Sequence, residues 1–192
     1  TGSGELGIAT GDGTASGSFA ISTGKTSSND GFSGSVLLGT GDAPLISGTI
    51  KFETGSSAAE TAGDFVVGLG ESTTHGVGAS IKIFAGANSL GAGGSIFMSS
   101  GKSTSSSSGD ITLISSDSSS SGSVNVATGT GVDSDSGKIS LSTGQSKGSS
   151  GDVTISSGAS DIAGDISIFA GESNGNTSGS ISIKSGSNVA GD

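Results

Sequence analysis

The chain has 192 residues, of which 38 are Gly, 46 Ser and 18 Thr, and it contains no Cys, Trp, Tyr or Arg. Apolar residues other than Gly make up 30%, against roughly 40% in ordinary globular domains once their usual Gly is set aside, which excludes an ordinary enzyme-like core. The net charge is −10, and without Arg there is no basic footprint for nucleic acid; no stretch approaches the roughly 18 apolar residues that would insert into a membrane.

What organises the chain is a repeat. Thirteen units that align on Gly-(Asp/Ser)-apolar-x-apolar, with Glu5, Thr49 and Lys138 in the second place of three, follow one another at spacings that average about 14.6 residues. In chain order the apolar pairs are Leu6/Ile8, Phe19/Ile21, Val36/Leu38, Ile50/Phe52, Phe65/Val67, Ile81/Ile83, Ile96/Met98, Ile111/Leu113, Val124/Val126, Ile139/Leu141, Val153/Ile155, Ile166/Ile168 and Ile181/Ile183. Two residues before each pair stands Gly, except Ala79; four after its first member stands Thr, Ser or Ala, except Leu69; five after stands Gly, except Ser116. Alternation of this kind predicts one short strand per unit with its apolar pair facing inward. The small residue lets the backbone close up, and the next Gly permits a positive φ at a corner. Variable Ser-rich loops, such as 103–108 and 118–121, separate the strands.

The outward positions suggest how many units complete a coil. Leu37, Val66 and Phe97 follow the first apolar residue in units three, five and seven, whereas Lys51 and Lys82 occupy that place in units four and six. Phe84, Ile114 and Phe169 show the opposite bias two positions later. The expected fold is therefore an all-β parallel β-solenoid spanning 1–192 as a single domain, with two units per coil. About six and a half coils at ~4.8 Å each would give a rod section on the order of 30 Å. An antiparallel meander is the competing topology, but its tight hairpins do not match connections of roughly nine residues. Solenoid ends need covering against edge pairing. The uncapped pattern at Gly4-Glu5-Leu6 and Gly191-Asp192 thus predicts a segment of a longer repeat protein, or copies that stack end to end.

The segments Gly-Asp-Val-Thr-Ile-Ser-Ser-Gly (151–158) and Gly-Asp-Ile-Ser-Ile-Phe-Ala-Gly (164–171) resemble the strand repeats of filamentous-haemagglutinin-type secreted adhesins. Those are long right-handed parallel β-helices at cell surfaces. The Ser-Gly loops are also similar to surface repeat proteins of marine algae. This resemblance implies an extracellular or cell-surface location and a structural or adhesive role.

Chemistry-bearing residues are few. His75 is the one imidazole, and a loop His without positioned partners reads as solvated rather than catalytic. Ser is so frequent that its nearness to His75 or an acid carries no weight as a triad. A polysaccharide-cleaving β-helix would need basic or paired acidic groups with stacking aromatics, so no catalytic site is expected. Glu5, Asp64, Asp110, Asp152 and Asp165 follow a pre-strand Gly, and Asp12, Asp42, Glu71, Asp117 and Glu172 follow the corner. Turn carboxylates can bind Ca²⁺, with Asp133 and Asp135 the best pair, but capping of turn N–H groups explains Asp there without metal. No cofactor is expected beyond that weak structural Ca²⁺.

Asn176-Thr177-Ser178 is a glycosylation acceptor sequence, although in a chain so rich in Ser and Thr it carries little weight. Ice binding, or carbohydrate binding, is the alternative function. The Thr ladder (Thr10, Thr23, Thr40, Thr54, Thr128, Thr143) falls on the inward side, which counts against ice. Leu37, Val66 and Phe97 on one outer face, with Phe84 and Ile114 on the other, are the candidate lateral contacts. The expected function is an extracellular structural or adhesive rod or filament without catalysis. Its expected partners are copies of itself or further repeats of the same chain.

Overall fold

The computed structural model describes residues 3–27, 30–73 and 76–187. Among them there is no helix and no β-strand, which overturns the all-β parallel solenoid, with its two units per coil and its stacked ladder. The described residues form a coil, grouped into two units, Thr1–Ile96 and Phe97–Asp192, that part within the seventh apolar run. No described residue is buried. The accessible surface is 19514 Å², where a folded monomer of this mass would expose about 8,000 Å² and its fully unfolded chain about 26,000 Å².

The physical reason lies in the composition. Each unit offers two apolar side chains, whereas each of the 38 Gly loses more backbone freedom on ordering than another residue would. The apolar pairs are shielded without being enclosed, so the burial that would offset this entropy is absent.

Local order survives at the loops. Gly94 N donates to Gly86 O at 2.9 Å, Gly109 N to Gly101 O at 3.0 Å and Gly179 N to Gly171 O at 3.0 Å. Each bond joins the Gly that ends one unit to the Gly that opens the next, closing the loop between them at a neck. The small residue of the unit sits at that neck. A Cβ built on Gly48 would lie 3.2 Å from Thr40 Cγ2, one on Gly34 3.3 Å from Thr23 Cγ2, and one on Gly94 3.3 Å from Ala85 Cβ. At Gly179 the approach is closer, with Gly171 N 2.9 Å away, so the opening Gly is required there for lack of a side chain. No Gly adopts a positive φ among those described. The expected left-handed corner is therefore replaced by close approach across the neck.

The loop turns are held by hydroxyls and one carboxamide. Ser57 Oγ accepts from Glu60 N (3.1 Å), Ser103 Oγ from Ser106 N (2.9 Å), Ser146 Oγ from Gly148 N (3.1 Å) and Ser173 Oγ from Gly175 N (2.9 Å). Asn88 Oδ1 accepts from both Leu90 N (2.9 Å) and Gly91 N (3.0 Å). All five acceptors stand two residues beyond the Gly that ends a unit, a position from which a short side chain reaches the N–H groups of the following turn. The acids expected to cap these turns do not do so: among the described residues, none of the ten carboxylates named above accepts such a bond.

Candidate association surface

Although no strand forms, each segment keeps two sides. Apart from Leu6 and Ile183 near the ends, the paired apolar residues are 43–76% exposed. The intervening and loop apolar residues are 79–100% exposed, with Leu69 the one exception. Leu69 occupies the small-residue position and has the parity of the pairs, so its partial shielding follows the same alternation. Lys51 and Glu53 flank Phe52 on the other side and form an ion pair, Nζ to Oε1 at 2.7 Å, of the exposed kind that contributes little to stability. Across the 55–63 loop the rings of Phe52 and Phe65 stack with centroids 6.0 Å apart and planes at 28°. The second apolar residue of one unit thus meets the first of the next.

Leu37, Val66, Phe84, Phe97 and Ile114 are all open to solvent. Among the described residues no strand ladder is present to hold them in register. The loops add apolar groups that a search for periodic pairs passes over: Leu45, Ile46, Val77, Leu90, Val132 and Ile162 are each nearly fully exposed. Their signal in the sequence is one or two large apolar residues set inside a loop between the units.

No protein-family model, curated protein or solved structure matches the chain.

His75 lies outside the described residues. Asp133 and Asp135 share a loop that folds back against Gly131, where a Cβ would run into Ser134 O and the Asp135 backbone. Among the described residues no group of three or more His, Asp or Glu is placed to hold a metal, and Ca²⁺ takes about 6–8 oxygen ligands. Asn176 is exposed in the loop closed by the Gly179–Gly171 bond. No helix is long and apolar enough to cross a membrane among the described residues.

Proposed function

We propose that this chain is an extracellular structural or adhesive component that acts without catalysis, by associating with copies of itself or with further repeats of the same chain. The observation that carries the reading is the set of regularly spaced apolar pairs, sided by their alternation and left open to water. Large exposed apolar surface in soluble proteins marks contact surfaces or a tendency to aggregate. Repetition along one chain makes successive contacts intramolecular once the first has formed, so weak individual contacts sum to avidity. A partner with apolar groups at the same spacing is, by construction, another copy of the repeat. The extracellular setting rests on the likeness of 151–158 and 164–171 to secreted adhesin repeats.

The test is sedimentation velocity over a range of concentrations, comparing the native chain with the double variant Phe84→Ser, Phe97→Ser. The native chain should shift to larger species as concentration rises, and the variant should need a several-fold higher concentration to do so. A native chain that stays monomeric throughout contradicts the reading. Equal association by the variant removes these two residues from the contact.

A further inference from the structure

We propose that Asn174-Gly175 is a site of spontaneous covalent modification, at which Asn174 converts to aspartate and isoaspartate. It is the only Asn-Gly step in the chain. Both residues are exposed, in a loop whose ends are joined by the Gly179 N to Gly171 O bond. The Gly175 N–H donates to Ser173 Oγ at 2.9 Å, a solvent-exposed bond that opens before the nitrogen attacks. The chemistry needs the backbone nitrogen of the following residue to reach the side-chain carbonyl carbon, and a residue without Cβ offers the least obstruction and the widest backbone freedom.

The Gly175 nitrogen attacks Asn174 Cγ and a new C–N bond forms. The bond from Cγ to the side-chain nitrogen then breaks, and that nitrogen leaves as ammonia with the proton given up by the Gly175 amide. Water adds to either carbonyl of the resulting succinimide and opens it to the α- or β-linked acid. The net change is loss of ammonia and gain of water, with no oxidant or reductant involved. Each event adds a carboxylate to a chain already at net charge −10, and the β-linked product lengthens the backbone inside the neck loop.

The other described asparagines serve as internal standards. Asn88 is followed by Ser89, and its Oδ1 is held by Leu90 N and Gly91 N. Asn125 is followed by Val126 and Asn176 by Thr177, both β-branched. A control variant is available because a Cβ on Gly175 would meet nothing nearer than Ser173 Oγ at 3.6 Å. Gly175→Ala therefore fits the loop and changes the obstruction and backbone freedom at the attacking nitrogen.

The experiment incubates the full chain in warm, mildly alkaline, heavy-oxygen water and maps peptides by mass spectrometry. Asn174 should lose ammonia several-fold faster than Asn88 and many-fold faster than Asn125, with label incorporated and the isoaspartyl product in excess. Gly175→Ala should slow Asn174 to the rate of Asn88. Conversion no faster than at Asn125, or conversion at an unchanged rate in Gly175→Ala, overturns the proposal. Neither outcome depends on whether the chain self-associates.

Discussion

Heating the dilute chain should produce no cooperative unfolding transition, in calorimetry or in far-ultraviolet circular dichroism. A folded domain of 192 residues would absorb on the order of 130 kcal/mol near its midpoint, at about 0.7 kcal/mol per residue. That heat comes from disrupting packed side chains and hydrogen-bonded elements. Here the described residues hold no strand, no helix and no buried side chain, and the neck bonds at Gly94, Gly109 and Gly179 are separate local closures. Such closures open independently, so any spectral change should be shallow and monotonic from low temperature upward. A sharp endotherm of the size expected for a domain would require a core and would contradict the described structure.

Replacing apolar pairs with Ser in successive units should weaken self-association progressively while leaving the dichroism spectrum unchanged. In a packed core, truncating Ile or Leu to Ala costs about 2–5 kcal/mol because a cavity remains. Around Ile50, the least exposed of the pairs at 43%, no closed cavity exists to be emptied. The substitution therefore acts on the contact between chains rather than on a fold. Avidity from linked weak sites reaches about 10²–10⁴, so removing half of the pairs should lower association by about 100-fold or more. Like-charge repulsion between chains of net charge −10 is screened by salt, so the loss should be measured at matched ionic strength. Association that is indifferent to the number of pairs would remove the apolar repeat from the mechanism.

Much of the local structure was legible in the residues themselves. The Gly residues on either side of a loop mark the necks at Gly94, Gly109 and Gly179, and in several units the small residue before the closing Gly sits against the next opening Gly, as at Thr40 and Gly48, though not at Gly63 or Gly164. The parity of the apolar pairs is also legible, since Val66 is more exposed than Phe65 or Val67 on either side of it. What the pattern could not decide is whether one side closes into a core. Periodicity states which side chains share a side; it does not weigh two apolar groups per unit against the entropy of a Gly-rich backbone. The turn acceptors were missed for a different reason. Asp is the more obvious cap by chemistry, whereas Ser or Asn two residues past the closing Gly has the reach, as at Asn88 and Ser103. Leu37, Val66, Phe97, Phe84 and Ile114 are exposed as their parity implies, whereas the exposure of loop residues such as Leu90 follows from no parity.

Residue-by-residue amide hydrogen exchange on the isolated chain tests the central claim most directly, because it reads where backbone N–H groups are paired. The apolar segments, such as 50–54 and 139–143, should exchange at nearly the rate of an unstructured peptide. The neck amides of Gly94, Gly109 and Gly179 should be the slowest, with only modest protection. Strong protection recurring at the apolar pairs of successive units would reveal a continuous strand ladder and contradict the account.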